Sequence, residues 1–477
     1  MGFPVALGRE SPLMAFLKTN LNSHWFCPQL RLLFTSFKFN LGMRFLIFSP
    51  TPSGGLAEHA HYQARALHRI AHLSGIDIEK PKAEVTLLCS PDFLDARKVE
   101  YKKAAVFSSD FSLFARLAGR VGELLDKSLK IIGEQWGLAL EVLLRKPDVV
   151  LLSSYSEYLA PFWVWPHCIF AKLFGVVYVA NLHDPVRDFV VGPRWWHELS
   201  VRMAYWPISV GVVHQRLPEP SPLPKHVHVV EAPVGVYDLQ ESPEDPKAIR
   251  AAWGVRKEKS EALKLGKAEI RNSADCGNAL DSGRSSLDTS AHADVVFLAF
   301  GFIRDNKNLD LVIRTLVENP SAVLVVMGRA QSKKDKPLDF YRNLAAELGV
   351  QDRVNFFDGF VPDEKLASYF AAADVVVLTY DASFHSQSGV LNVAARARRP
   401  VLVSAGESPL KDCVKRFRLG VFVEPDNLRA LKEGMKMMMS DEWRVMRGGP
   451  DWEGYEAFAS WDENMAKILK AVEKVKH

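Results

Sequence analysis

The sequence predicts an α/β protein made of two doubly wound domains in tandem. The chain has 477 residues, more than one ordinary hydrophobic core holds. Short, uninterrupted apolar runs alternate with longer helical stretches, first over about residues 43–235 and again over about 294–440. Such runs mark strands buried on both faces of a parallel sheet, and their alternation with helices marks the fold class. Both series also open alike, with a strand, a glycine turn and a helix, as doubly wound sheets do.

In the first series the opening strand is Arg44-Phe45-Leu46-Ile47-Phe48-Ser49, followed by the turn Thr51-Pro52-Ser53-Gly54-Gly55 and a helix over 56–70. Further strands are expected at 85–88, 149–152, 176–179, 210–213 and 227–230, with a long helix over 113–145. The aromatic stretch 162–170 is interrupted by Pro166 and preceded by Pro161, and reads as a buried or acceptor-side segment. The run Pro193-Arg194-Trp195-Trp196-His197 reads as a loop able to meet an acceptor, whereas core packing is expected for most of Phe162, Trp163, Trp165, Trp195, Trp196, Tyr205 and Trp206. Residues 1–42 carry one acidic residue, Glu10, and no clean period. Without a small-residue cleavage site they read as a weak transit segment or as sequence upstream of a start at Met43.

The second domain begins with a helix over 246–253. Residues 257–292 are rich in Lys, Glu, Ser, Ala and Gly and poor in large apolar residues, and read as a mobile insertion without a core. Strands follow at 295–300, 322–327, 354–357, 375–378 and 401–403, with helices from Leu309 and over 338–348, 364–372, 390–396 and 428–439. Residues 441–477 are expected to form a helical segment that packs back toward the first domain. Ligands of open α/β sheets bind beyond the carboxyl ends of the strands, so two such domains place the expected active site between them.

Composition narrows the function. Sixty basic and 56 acidic residues leave a net charge of +4, too balanced for a nucleic-acid partner but compatible with an anionic membrane surface. The five cysteines, Cys27, Cys89, Cys168, Cys276 and Cys413, are scattered and form no CxxC pair, which argues against a disulfide framework or zinc site and for a reducing compartment. No apolar run is long enough to span a bilayer. His59 and His61 lie two residues apart on a helix and point to different faces, so no metal site is expected.

The most informative segment is Gly301-Phe302-Ile303-Arg304-Asp305-Asn306-Lys307-Asn308-Leu309-Asp310. It leaves a strand and enters a helix with two cations three residues apart. Arg grips two oxygens, Lys supplies a point charge, and a helix start adds amide donors, a combination suited to a pyrophosphate. A second constellation, Ser383-Phe384-His385-Ser386-Gln387-Ser388-Gly389-Val390-Leu391-Asn392-Val393, also lies where a strand gives way to a helix. Ser388-Gly389 reads there as a helix cap with free amides behind it.

These segments resemble a known family. The first is similar to the "G-x-I-R-x-x-K-G-x-D" turn of the retaining GT-B glycosyltransferases of the "glycosyltransferases group 1" family. Val325-Val326-Met327-Gly328 resembles its strand-glycine, and Asp352-Arg353-Val354-Asn355-Phe356-Phe357-Asp358-Gly359-Phe360-Val361-Pro362 its "R-V-x-F-x-G-x-V-P". Ala373-Asp374-Val375-Val376-Val377-Leu378, Arg399-Pro400-Val401-Leu402-Val403 and Phe458-Ala459-Ser460-Trp461 resemble its "A-D-V-x-V-L", "R-P-V-x-x" and "F-S-W". The resemblance implies two Rossmann-like domains facing each other across a cleft, an N-terminal acceptor domain (43–235) and a C-terminal nucleotide-sugar domain (236–440). It implies transfer of a sugar, with retention, from a nucleotide-sugar donor to a glycan or lipid-linked acceptor, with no cofactor or metal, in the cytoplasm or peripherally on the inner face of a membrane.

On the same basis Arg304 and Lys307 would bind the donor phosphates, with Gly54, Gly55, Gly301, Gly328, Phe360, Val361, His385, Ser388, Gly389, Val390, Leu391 and Asn392 also on the donor side. Asn181-Leu182-His183-Asp184-Pro185 resembles the family's "H-D", which would set His183 toward the donor and Asp184 toward the acceptor hydroxyl. The sequence departs from the pattern where many relatives have two glutamates eight positions apart. Here those places hold His385 and Val393, or Asn392 after one residue of slippage. That departure leaves a non-catalytic GT-B nucleotide- or glycan-binding protein, and a nucleotide-sugar 2-epimerase, as alternatives.

Overall fold

The computed structural model describes residues 43–52, 54–73, 84–93, 99–105, 113–183, 185, 190, 192–239, 244–255, 294–330, 332, 334–359, 361–440 and 449–476. The N-terminal extension 1–42, the insertion 257–292, Ser53, Asp184 and Phe360 lie outside them. Two sheets organise the chain. The first comprises β1 (Arg44–Ser49), β2 (Glu84–Cys89), β3 (Lys102–Ala105), β4 (Val149–Leu152), β5 (Val177–Leu182), β6 (Ile208–Val213) and β7 (His228–Glu231), in the order β3-β2-β1-β4-β5-β6-β7. The second comprises β8 (Val295–Phe300), β9 (Ala322–Met327), β10 (Val354–Phe357), β11 (Val375–Thr379), β12 (Val401–Ser404) and β13 (Gly420–Phe422), in the order β10-β9-β8-β11-β12-β13. Every neighbouring pair in the second sheet is parallel. Two Rossmann-like parallel sheets are the architecture expected from sequence.

Alternation along β8 explains why its run is apolar throughout. Val296 and Leu298 enter the core on one face of the sheet, and Phe297 enters the core on the other, so no position is left for a polar side chain. In both sheets the chain starts centrally and then reverses direction, between β1 and β4 and between β8 and β11. Those reversals are where ligands of such sheets bind.

Compactness divides the chain differently from the sheets. One unit holds the described residues up to Ser153 with Leu159–Tyr178, and the other holds Ser154–Tyr158 with Val179 onward. The second unit therefore includes β6 and β7 with the whole second sheet. Its last helix, Trp461–Lys476, packs on both of those strands, and the Asn464 carboxamide donates to Pro233 O at 2.8 Å.

Two segments depart from the sequence expectation. The interrupted aromatic stretch is a continuous helix, Ala160–Leu173, with Pro166 inside it. Proline removes the amide that would bond Phe162 O. The indole Nε1 of Trp136, on the long helix Leu113–Arg145, donates to that oxygen instead at 3.1 Å. The run around Trp195 is not a loop but the start of a helix, Arg194–Ala204, entered from Pro193. Core packing holds for Trp163 and Tyr205, but Phe162, Trp165, Trp195 and Trp206 are exposed. Aromatic content alone does not say which face of a helix a ring occupies. Among the described residues no helix is long and apolar enough to cross a membrane.

Candidate functional site

The candidate site is built at the reversal point of the second sheet. β8 ends at Phe300, and Gly301 turns the chain with φ 88°. After Arg304 in extended conformation come a 3₁₀ turn, Asp305–Lys307, and Asn308 at φ 48°, and then the helix Leu309–Thr315. Lys307 bends back over this turn, and its ammonium donates to Phe300 O at 3.0 Å. A cavity opens there, lined by Gly301, Lys307, Thr379 and Tyr380.

The turn is fixed from several sides. Thr379 Oγ1 donates to Lys307 O at 2.9 Å, and Asp381 N to Asn306 O at 2.9 Å. The Asp426 carboxylate accepts from Asn308 Nδ2 and from Ala382 N, both at 2.9 Å. Among the described residues neither Arg304 nor Lys307 makes an ion pair with a carboxylate. Burial, and then the Arg304 charge, push the Lys307 ammonium down to about 8 from its ordinary 10.5. A buried cation without a counter-charge is costly unless an anion completes it.

The helix Gly389–Arg396 supplies the other wall. A Cβ placed on Gly301 would lie 3.6 Å from Lys307 Nζ and 3.8 Å from Val390 Cγ2, so the ammonium and the helix start flank one small space. Ser388 precedes the helix but does not cap it. Its hydroxyl lies 3.1 Å from the Tyr380 hydroxyl instead, and Tyr380 stacks on Phe384 at 3.8 Å. The first helical amide with a backbone acceptor is that of Leu391. The amides of Gly389 and Val390 have none among the described residues, and Gly389 is exposed with open space around it. Two uncapped amides, an unpaired ammonium and a nearby guanidinium make an anion site.

Gly301, Arg304, Lys307, Ser388, Gly389 and Val390 thus come together. Gly328 acts one step removed, since its own Cβ would fall 2.0 Å from Gly301 O; it lets two strand ends approach. His385 is exposed at the end of the same loop. Its Nδ1 lies 3.0 Å from Glu407 O, which assigns the proton to Nδ1 and leaves Nε2 an acceptor in the neutral ring.

The side chains of Asn392 and Leu391 are turned away from this cluster. Asn392 is not turned toward a ligand but is almost wholly buried. Its Nδ2 donates to Val234 O and Gly235 O at 3.2 and 3.1 Å, and its Oδ1 accepts from Tyr455 OH at 2.6 Å. Leu391 lies in the hydrophobic core, as its place on the inner face of the helix requires. Val361 is half-buried and packs against the same core.

Five further positions belong to other elements or fall outside the described residues. Gly54 and Gly55 belong to the first compact unit, where Gly54 (φ 82°) precedes the helix Gly55–Leu73. His183 follows β5, and its ring lies 5.5 Å from that of His214; Asp184 and Phe360 fall outside the described residues. Sequence reasoning passed over His214, a lone histidine ending an apolar strand and carrying no motif. Its Nδ1 lies 2.8 Å from Ala232 O, and burial, with His183 nearby, pushes it down to about 4. Sequence also missed the joint carried by Gln387. Its N–H donates to His214 O at 3.3 Å, and its Oε1 accepts from Val234 N at 2.7 Å.

Known proteins share part of this sequence and its fold. Residues 289–449 match the family model described as glycosyl transferases group 1. D-inositol 3-phosphate glycosyltransferase of Corynebacterium glutamicum is 26% identical over 195 residues, covering 40% of this chain and 46% of that protein. Matches to such curated relatives span less than half of the relatives' own length. Among solved structures, sucrose-phosphate synthase from Thermosynechococcus elongatus superposes with a TM-score of 0.56 at 13% identity, over 91% of this chain and 99% of that one. HepE of Anabaena, solved with UDP and glucose, superposes with a TM-score of 0.50 at 14% identity, over 91% and 98%. The chain accordingly has the GT-B fold, and the segment that carries Gly301, Lys307 and Gly389 is similar to the glycosyl transferases group 1 family.

Proposed function

We propose that the chain is a glycosyltransferase that moves a sugar from a nucleotide-sugar donor to a glycan or lipid-linked acceptor, with retention at the anomeric carbon. The observation that carries this reading is the half-buried, carboxylate-free ammonium of Lys307 beside the open amides of Gly389 and Val390. A nucleoside diphosphate would lie there. When the bond from the anomeric carbon to the β-phosphate oxygen breaks, the electron pair goes to the leaving diphosphate. Lys307, Arg304 and the amide dipoles are already in place to stabilise that charge. The acceptor hydroxyl oxygen bonds to the anomeric carbon, and its proton passes to the departing diphosphate oxygen. His183 and Asp184 are the groups proposed for the acceptor side, and His385 Nε2 for accepting from a donor-sugar hydroxyl.

Arg, Lys and helix amides serve where a metal would otherwise neutralise the diphosphate, so no cofactor is proposed. The cytoplasm supplies nucleotide sugars, and a lipid-linked acceptor would be met at the membrane's inner face. One observation favours a second reading. The paired glutamates of many relatives are replaced here by His385 and by Val393 or Asn392, and the Asn392 side chain is committed to Val234, Gly235 and Tyr455, as a binding protein without turnover would permit. The chain is incubated with UDP- and GDP-sugars, with and without glycan acceptors, and released diphosphate is measured. Acceptor-dependent release supports transfer. Donor binding without release supports the second reading, and epimerised sugar without acceptor supports the 2-epimerase alternative.

A further inference from the structure

One stretch of backbone has almost every polar group claimed. Residues 233–236 follow β7 and, like every residue that grips them, belong to the second compact unit. Asn464 Nδ2 donates to Pro233 O at 2.8 Å, and Val234 N donates to Gln387 Oε1 at 2.7 Å. Asn392 Nδ2 donates to both Val234 O and Gly235 O, at 3.2 and 3.1 Å. Val236 N donates to Ala459 O at 2.7 Å, and Val236 O accepts from Trp461 Nε1 at 3.1 Å. A Cβ on Gly235 would lie 2.3 Å from the Trp461 ring, so the stretch is packed as well as bonded. It is an anchor rather than a loose connection.

Two of the side chains that grip it stand on either side of the Gly389 and Val390 amides. Gln387 lies two residues before the helix Gly389–Arg396, and Asn392 lies in its first turn. The approach to the helix is pinned further by an antiparallel bridge of Ser386 with Gln215 and by Gln387 N, which donates to His214 O at 3.3 Å. A helix start is ordinarily fixed by a capping side chain, which takes up one of the first amides. Ser388 makes no such bond. With the start held through residues 233–236 instead, the amides stay open for a ligand and still cannot reorient, which is the preorganisation an anion site needs. Resting on the diphosphate reading of that site, we propose that Gln387 is a positioning residue. By accepting from Val234 N, jointly with Asn392, it fixes the helix start in place of a cap and aims its free amides at the diphosphate.

Hydrogen exchange of the unliganded full chain is followed by mass spectrometry for wild type, Gln387→Leu and Gln387→Glu. Leucine has similar bulk and no acceptor, whereas glutamate keeps an oxygen for Val234 N. Peptides covering 233–236 and 387–392 should exchange at least about tenfold faster in Gln387→Leu and at the wild-type rate in Gln387→Glu. Calorimetry with UDP, GDP, uridine and guanosine then reads what the placement serves. Diphosphate affinity should fall at least about tenfold in Gln387→Leu, or about 1.4 kcal/mol, while the nucleoside binds as it does to wild type. Wild-type exchange in Gln387→Leu overturns the proposal. So does fast exchange in Gln387→Glu, a test that stands even where leucine prevents folding. Equal losses for diphosphate and nucleoside, or no loss, would reduce Gln387 to a structural contact and overturn it too. A wild type that binds neither diphosphate sinks the transferase reading and this proposal with it, whereas contrary results in the variants alone sink only the proposal.

Discussion

The two glycine turns of this molecule share a backbone and differ in chemistry. Each follows the first strand of its sheet, each sits where strand order reverses, and each holds a glycine in the left-handed region, Gly54 at φ 82° and Gly301 at φ 88°. Around Gly54 nothing stands within 4 Å of an added Cβ, whereas at Gly301 the Lys307 ammonium and Val390 do. The doubly wound fold therefore supplies two equivalent crevices. Side chains placed a few residues later decide which one carries a fixed positive charge. Holding Lys307 charged with its value lowered from 10.5 to about 8 costs the unliganded protein on the order of 3 kcal/mol relative to a solvated lysine. The first turn, Thr51–Gly55, has no cation to bear such a cost.

The comparison can be broken in order of expected effect. Gly328→Ala should be the most damaging change, since its Cβ would overlap Gly301 O at 2.0 Å and its φ of 151° suits glycine. A stability loss of about 3 kcal/mol or more is expected, read as a lowered denaturation midpoint. Lys307→Met should separate stability from function. It removes a half-buried charge, so the unliganded protein should melt a few degrees higher, while nucleotide-sugar turnover falls at least about tenfold, the loss of about 1.4 kcal/mol of transition-state binding. Wild-type turnover in that variant would remove Lys307 from the donor site.

Gly54→Ala and Gly301→Ala sharpen the comparison itself. Both meet the same left-handed strain and should each lose about 1 kcal/mol of stability. Only Gly301→Ala should also weaken nucleotide binding, by roughly tenfold, because its methyl group enters the space beside the ammonium. Equal binding losses at both turns would erase the distinction.

The smallest effect is a pH dependence. A bound diphosphate favours the charged lysine and raises its pKa above the free value of about 8. Affinity is therefore full below about pH 8 and weakens as pH rises through it, by at most about tenfold per unit. Lys307→Arg, whose charge persists, should flatten that profile in a titration of UDP affinity.

What the sequence showed and hid follows the same division. The buried strands were legible because apolar runs such as 295–300 and 322–327 have one physical explanation, burial on both faces. The short strand Lys102–Ala105 carries two lysines at its start and no such run, so nothing announced it. The stretch 162–170, read as a buried or acceptor-side segment, lies in a helix whose Phe162 carbonyl, left without an amide partner by Pro166, accepts from the distant Trp136 indole. At the site, Arg304 and Lys307 were legible because two cations at a strand-to-helix turn suit a diphosphate. Asn392 misled because spacing gives a position along a helix but not the face it occupies, and that face is set by Val234, Gly235 and Tyr455. His214 and Gln387 were hidden because their partners come from another part of the chain.

The most direct measurement is a calorimetric titration of UDP, GDP and their sugar conjugates into wild type and Lys307→Met at neutral pH. At least one diphosphate should bind wild type and lose at least about tenfold in affinity in the variant, whose unliganded melting point should be no lower. A panel with no binder, or equal affinity in both proteins, would contradict a diphosphate held between Lys307 and the Gly389 helix start.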